Sequence, residues 1–122
     1  MKKNKPFSFK ERGKSFKYAF EGIIAFFRKE HNARIHLAAT IAVIGLSIVF
    51  PVSRMEAIAL TFAVGFVWVA EIFNTAIEKM ADFISKEKNP AIKKIKDLSA
   101  AAVLVAAFIA VITGCFIFIP KF

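Results

Sequence analysis

Polar side chains that could perform chemistry recur along one stretch of the sequence: Glu71, Asn74, Glu78 and Asp82. At about 100° per residue they share one face of a helix, within an arc of roughly 80°. The row begins at the end of an apolar run, 58–70. Acids are costly inside a bilayer, so this placement indicates a functional site. Alternatively, Glu78 and Asp82 only mark the end of the span and lie in water.

The residue types suit phosphoryl transfer. Carboxylates such as Glu30 and Glu78 are the hard oxygen ligands that Mg²⁺ prefers, usually together with phosphate groups. Lys96 can neutralise a polyphosphate, and Glu71 beside the lipid phase is suited to act as a general base. Metal, cation and base are the recurring parts of phosphoryl-transfer sites. The sequence has no glycine-rich phosphate loop, so spacing alone predicts a polyphosphate or ion site of unknown purpose.

The composition is that of a small polytopic membrane protein. Hydrophobic residues make up 57% of the 122 residues, yet 22% are charged, and the charges are clustered. The net charge of +9 comes from basic residues that flank apolar spans. Anionic headgroups or a polyphosphate are therefore better partners than nucleic acid. The single Cys115 excludes a disulfide framework within the chain.

The elements that must position these residues follow from the apolar spacing, which predicts an all-α fold in a single domain, 1–122. Its successive parts are a disordered basic tail (1–8), an amphipathic interfacial helix (9–30) and three membrane spans (34–50, 55–84 and 91–119). Ser53 is a suitable cap for the second span, and Pro90 suits the start of the third.

The distribution of basic residues predicts the orientation. Ten Lys and Arg lie in residues 1–34 and six in 79–96, whereas only Arg54 and Lys121 lie on the other side. The positive-inside rule then places the N-terminus in the cytoplasm and the C-terminus outside. This topology gathers the polar clusters at the cytoplasmic face of the membrane.

Three motifs together resemble the prokaryotic diacylglycerol kinase family, which includes undecaprenol kinases. They are Phe-Arg-Lys-Glu-His-Asn-Ala-Arg-Ile-His (27–36), Glu-Ile-Phe-Asn-Thr-Ala-Ile-Glu (71–78) with Asp82, and Lys-Asp-Leu-Ser-Ala-Ala-Ala-Val (96–103). The resemblance covers roughly residues 12–119. It implies a surface helix plus three transmembrane helices, assembled as a homotrimer with sites shared between subunits.

The resemblance also implies a reaction, the ATP- and Mg²⁺-dependent phosphorylation of a membrane lipid alcohol. By motif position, Glu71 is similar to the base that takes the proton from the lipid hydroxyl. Asn74 is similar to an amide that positions the reacting groups. Glu30 and Glu78 are similar to the family's Mg²⁺ ligands. The implied nucleotide contacts are Tyr18, Lys96 and Asp97, with the loop that contains Lys88 and Asn89 nearby.

The block Asn-x-Arg-Ile-His (32–36) resembles the branch whose members often prefer undecaprenol, and this favours undecaprenol over diacylglycerol. Arg34, within this block, is a predicted substrate contact, although it could only snorkel to headgroups. His31 and His36 are predicted to be interfacial polar groups, and Trp68 to pack against lipid or a neighbouring helix.

Two other function classes compete with a kinase. One is a small proton- or cation-coupled transporter that uses Glu71 within the membrane, and the other is a non-catalytic membrane protein with a lipid-binding basic arm. A transporter would place its ionisable groups near the midplane, but here they cluster at one interface. A scaffold has no need of Glu71, Asn74 and Glu78 on one face, so the kinase is the preferred prediction.

Overall fold

The computed structural model describes residues 6–122, so residues 1–5 of the predicted tail 1–8 lie outside the described part. Within 6–122 the chain forms helices and no strand, which confirms the all-α prediction. The helices are α1 (Phe9–Lys29), α2 (His31–Val49), α3 (Arg54–Ile84) and α4 (Pro90–Phe118), followed by a 3₁₀ turn (Ile119–Lys121).

Three of these helices are long and apolar enough to cross a membrane. They are α2, α3 and α4 extended by the 3₁₀ turn, whose apolar stretches of 18 residues have mean hydropathies of 1.6, 1.8 and 2.9. About 20 apolar residues suffice to cross the hydrocarbon core, so the 31 residues of α3 exceed what is needed. One end of α3 therefore extends beyond the apolar layer.

The two longest helices begin at side-chain caps. The Ser53 hydroxyl accepts a hydrogen bond from the backbone N–H of Glu56, whose carboxylate accepts one from the N–H of Ser53, so the pair forms a capping box. At the start of α4, Asn89 Oδ1 accepts from the N–H of Ala91 at 2.8 Å, and Pro90 occupies the first turn. Both predicted starts are present.

α3 and α4 form an antiparallel hairpin that provides most of the contacts between helices. Near the connection, Lys96 Nζ donates to Asp82 Oδ1, and at the open end Lys121 Nζ donates to Glu56 Oε1 at 3.1 Å. A small apolar core is buried at that open end and is completed by partly buried side chains of α2 and the α2–α3 connection. Its buried members are Leu60, Ile117 and Phe118. Side-chain contacts thus join α3 and α4 at both ends of the hairpin.

α1 joins this assembly at a break in the helix, where Glu30 has an extended backbone between α1 and α2. Phe26 is buried and packs edge-on against Trp68 of α3, with ring centroids 6.2 Å apart. Phe27 lies 5.1 Å from the same ring. The remaining apolar side chains of α1, including Phe16 and Ile24, are exposed and are available for membrane contact.

The capping box gives a test of how α3 is held. Ser53→Ala removes the side chain that satisfies a first-turn N–H, so we expect the free energy of unfolding in mixed micelles to fall by about 1 kcal/mol. Ser53→Thr, which keeps a capping hydroxyl, serves as the control and should stay close to the unsubstituted protein. Equal stability of Ser53→Ala and the unsubstituted protein would contradict the role of this cap.

Candidate functional site

The centre of the candidate site is Glu71, which α3 carries into the protein interior. Glu71 is only 3% exposed. Its Oε2 lies 3.1 Å from Nε2 of His36, which comes from α2. A buried carboxylate needs a partner to offset the loss of water, and the imidazole supplies it. The arrangement presents a carboxylate that is held in place and withdrawn from solvent.

The His36 ring is itself fixed by its neighbours. The Trp68 ring meets it edge-on, with centroids 6.4 Å apart. The Trp68 indole N–H donates to the Thr40 hydroxyl at 2.9 Å, and that hydroxyl donates to the His36 carbonyl at 2.7 Å. These bonds join α2 to α3 one helical turn from the Glu71 pair. The histidine therefore has a defined position relative to the carboxylate.

The second buried polar contact joins α3 to α4. The Ser99 hydroxyl donates to Asn74 Oδ1 at 2.6 Å, and both residues are buried. This bond uses the carbonyl oxygen of the amide and leaves the Asn74 NH₂ group as a donor. Of the predicted polar row, Glu71 thus contacts α2 while Asn74 contacts α4.

The row becomes progressively exposed toward the α3–α4 connection. Glu78 is half-buried and Asp82 is exposed. Lys96 pairs with Asp82 at 2.5 Å and is also attracted to Glu78. Asp82 is exposed, as the alternative interpretation predicts. Its side chain nevertheless also contacts α4 through Lys96.

A charged cavity of about 600 Å³ lies at the α3–α4 connection. Its charged lining combines four lysines with three acids: Lys86, Lys88, Lys93, Lys96, Asp82, Glu87 and Asp97. Lys93 pairs with Asp97 at 2.6 Å, and Asn89 caps α4 beside them. The structure thus brings together four of the predicted nucleotide contacts: Lys88, Asn89, Lys96 and Asp97. Mobile lysine side chains on such a rim can pair with phosphate oxygens.

The predicted metal ligands lie at two places on the same side of the fold. Glu30, at the α1–α2 break, forms an ion pair with Lys79, with Nζ and Oε1 3.4 Å apart. Lys79 follows Glu78 in sequence, so the break lies beside this part of α3. In the described residues 6–122, no three His, Cys, Asp or Glu side chains group as a metal site. The two carboxylates Glu30 and Glu78 are instead suited to a Mg²⁺ ion that is bound by one or two carboxylates together with phosphate groups.

Two predicted contacts lie apart from these clusters. Tyr18 is exposed on α1 and lines neither the charged cavity nor the apolar cavity between α2, α3 and α4. Arg34 is also exposed, and its guanidinium donates to the carbonyl of Arg28 at 3.1 Å. Within a single chain, the fold does not bring Tyr18 or Arg34 against the Glu71 pair.

An apolar cavity of about 420 Å³ runs between α2, α3 and α4. His36, Thr40 and Trp68 line its polar end, and its wall continues to Phe118 and Phe122 at the far end of the hairpin. Its shape and lining suit a hydrocarbon chain. Since His36 also contacts Glu71, the cavity ends next to the buried carboxylate.

Sequence reasoning missed three residues that this site uses. His36 is predicted to be only an interfacial polar group. Ser99, within the motif 96–103, is assigned no polar contact, and Lys79 is only counted among the basic residues. Their partners lie on other elements, for example 35 residues away for His36 and Glu71. Helical periodicity signals only contacts within one helix. One signal in the sequence could have identified two of them. His36 lies in the same motif as Glu30, and Ser99 lies in the same motif as Lys96.

Comparison with known proteins adds the family context. A family model described as prokaryotic diacylglycerol kinase matches residues 17–118. An undecaprenol kinase of Bacillus subtilis is 38% identical over 88% of both chains. A diacylglycerol kinase of Synechocystis is 34% identical over 87% of this chain and 61% of its own length. The diacylglycerol kinase of Escherichia coli is 32% identical over 80% of each chain.

The Ser99–Asn74 bond can be tested by its effect on stability. Ser99→Ala leaves the buried Asn74 oxygen without its donor, so we expect the free energy of unfolding to fall by about 1–3 kcal/mol. Ser47→Ala is the matched control, because the Ser47 hydroxyl bonds only to a carbonyl of its own helix. The control should stay within about 0.5 kcal/mol of the unsubstituted protein. Equal stabilities of the two variants would contradict the contribution of the bond.

Proposed function

The chain belongs to the prokaryotic diacylglycerol kinase family and is a membrane lipid kinase, and we propose that it transfers the γ-phosphate of ATP to a membrane lipid alcohol in an Mg²⁺-dependent reaction. The preferred acceptor is undecaprenol, which gives undecaprenyl phosphate, and the second candidate is diacylglycerol, which gives phosphatidic acid. One observation carries the proposal: the buried Glu71–His36 pair lies at the end of an apolar cavity.

The polar end of that cavity favours undecaprenol. Diacylglycerol carries two ester groups whose carbonyl oxygens need donors when they are buried, whereas a polyprenol carries none. The Trp68 N–H already donates to Thr40, and the Thr40 hydroxyl to the His36 carbonyl. The rest of the lining is apolar. The relative with 38% identity is also named for undecaprenol, against 34% and 32% for the diacylglycerol kinases of Synechocystis and Escherichia coli.

Glu71 acts as the general base. An alcohol is a weak nucleophile until its proton has an acceptor, and the free carboxylate oxygen of Glu71 supplies one beside the lipid phase. The proton of the lipid hydroxyl moves to Glu71, the lipid oxygen gains the phosphoryl group, and ADP leaves with the bridging oxygen. The Asn74 NH₂ group, one turn along α3, positions the reacting groups by donating a hydrogen bond.

The nucleotide lies along α3 toward the charged cavity. About 16 Å of helix separates Glu71 from Asp82, and Glu78 lies between them. Lys96 contacts phosphate, and Asp97 and the connection with Lys88 and Asn89 contact the rest of the nucleotide. The exposed Tyr18 and Arg34 complete the site as nucleotide and substrate contacts, respectively.

Glu30 and Glu78 would hold Mg²⁺ together with the phosphates, and the bound ion would offset the charge that develops on the transferred group. Both carboxylates are only partly buried, so they remain open to a metal ion that arrives with the nucleotide. Lys79, which pairs with Glu30 at 3.4 Å, neutralises that carboxylate in the free protein.

The proposed site is on the cytoplasmic face of the cell membrane, with the N-terminus inside and the C-terminus outside. The basic residues on either side of the spans support this orientation. We also infer a homotrimer with sites shared between subunits. It is supported by the exposed position of Tyr18, which within one chain lines neither cavity of the proposed site.

The transporter and the non-catalytic binding protein are not retained as functions. The relatives that cover most of this chain are named as kinases. The polar side chains also form a graded series, from buried Glu71 to exposed Asp82 at one end of α3. A base beside lipid and cations beside water are the parts that a lipid kinase needs.

Phosphate transfer tests the proposal directly. The purified protein in mixed micelles, with labelled ATP and Mg²⁺, should label undecaprenol, and diacylglycerol more slowly. Glu71→Gln keeps the size of the side chain but cannot accept the proton, so turnover should fall at least about 100-fold. Binding of ATP, followed by tryptophan fluorescence, should change little.

Labelling of neither lipid by the folded protein would overturn the kinase. Faster labelling of diacylglycerol would overturn the preference for undecaprenol. A Glu71→Gln variant that turns over at the unsubstituted rate would remove Glu71 as the base while leaving the activity in place.

The metal ligands predict a change in Mg²⁺ requirement. Glu78→Gln and Glu30→Gln should each raise the Mg²⁺ concentration for half-maximal rate, by at least about 10-fold, because a charged ligand is lost. Glu21→Gln, at an exposed position on α1, is the matched control and should not change it. The measurement is the rate against Mg²⁺ at fixed ATP. An unchanged requirement in both variants would exclude them as ligands.

A further inference from the structure

We propose that His36 is a positioning residue for Glu71: its Nε2–H donates to Oε2 of the carboxylate and leaves Oε1 to take the proton of the lipid hydroxyl. The two atoms lie 3.1 Å apart, and the residues come from different helices. This role rests on the proposed function, in which Glu71 is the base. His36 does not itself accept the substrate proton, and its own ring proton stays on Nε2 throughout.

A buried glutamate needs such a partner to serve as a base. Its side chain has three rotatable bonds, and a reacting group misplaced by about 1 Å can lose about 100-fold in rate. Among the hydrogen bonds of the described residues, Glu71 has only the one to His36. The neighbouring polar residue Asn74 is turned toward Ser99 of α4. The orientation of the Glu71 carboxylate therefore depends on the imidazole.

The imidazole is suited to this task because its own position is fixed. Trp68 packs against the ring, and the Trp68–Thr40 and Thr40–His36 hydrogen bonds tie the same turn of α2 to α3. The His36 side chain is 20% exposed, against 4% for Glu71. A ring that is packed on one side and bonded at Nε2 holds the carboxylate as a pre-organised site requires.

His36 is also the residue that joins the base to the apolar cavity, whose polar end it lines. A lipid chain in this cavity would place its hydroxyl beside the histidine and within reach of the carboxylate behind it. The occupied Nε2–H then faces Glu71 rather than the lipid, so the hydroxyl is left to donate to Oε1. The geometry thus directs the acceptor hydroxyl to a single oxygen.

Two substitutions of His36 separate positioning from packing. His36→Ala removes the donor, and we expect turnover to fall about 10- to 100-fold with little change in the KM for ATP. His36→Gln restores an N–H donor at similar reach, and we expect it to recover most of the rate. His31→Ala, which removes the other histidine at an exposed position, is the matched control and should keep the unsubstituted rate.

A double substitution tests whether His36 acts through Glu71. The variant with both His36→Ala and Glu71→Gln should turn over no more slowly than Glu71→Gln alone, since the histidine has no carboxylate left to position. A further loss equal to that of the single His36→Ala change would indicate an independent role and overturn the proposal.

Nitrogen NMR of the ¹⁵N-histidine-labelled protein detects the His36–Glu71 hydrogen bond independently of enzymatic activity. The chain has only two histidines, so His36→Ala assigns both signals. Glu71→Gln should shift the His36 ring nitrogens and leave those of His31 in place. Unchanged chemical shifts of the His36 ring nitrogens would contradict the proposed hydrogen bond to Glu71.

The outcomes separate the two proposals. If no lipid is phosphorylated, the proposed function fails and the positioning role fails with it, even if the NMR shift is present. If lipid is phosphorylated and Glu71→Gln is slow, while His36→Ala turns over at the unsubstituted rate, only the positioning role fails. Slow turnover in His36→Ala and in His36→Gln alike, with a lowered unfolding temperature in both, would assign His36 to packing instead.

Discussion

The structure depends on the need to pair polar groups that a membrane-spanning helix carries into its interior. Glu71 and Asn74 are both buried in α3, and an unpaired polar group there would be strongly destabilising. Each is paired by a different neighbour, Glu71 by His36 of α2 and Asn74 by Ser99 of α4. α3 is therefore the central helix, and the two polar bonds fix how its neighbours are placed around it. The residues best suited to chemistry are the same ones that join the three spans.

The type of interaction that pairs the polar side chains changes along α3. Toward the α3–α4 connection the hydrogen bonds give way to ion pairs such as Lys96–Asp82, whose partners are exposed or half-exposed. Exposed ion pairs contribute little to stability and are readily exchanged, whereas a buried pair is costly to break by removing one partner. A charged ligand can therefore replace partners at the connection while the Glu71 pair stays intact. One helix face thus combines a fixed, buried carboxylate with exchangeable cations.

Local chemistry made much of the fold predictable. The capping serine at 53 and Pro90 marked the starts of α3 and α4, and the apolar lengths marked the spans. The polar face of α3 also followed from periodicity. Periodicity does not specify which helix a face meets, so the contacts of His36 and Ser99 could not be predicted. For the same reason, the sequence did not identify Phe26 as the residue that anchors α1, although it is buried against Trp68 of α3. The assigned roles of the site residues remain predictions, because contacts within one chain do not test ligand binding.

The position of α2 would link lipid binding to the proposed base, Glu71. α2 makes far fewer contacts with α3 than α4 does, and its polar contacts with α3 are the His36 and Thr40 bonds within the described residues. The apolar cavity lies between α2 and the hairpin, so a lipid chain that fills it would pack against α2 over several turns. Packing of this kind would restrain α2, and through α2 the histidine that holds Glu71. Acceptor binding and base positioning would then strengthen each other, because both depend on the same weakly packed helix.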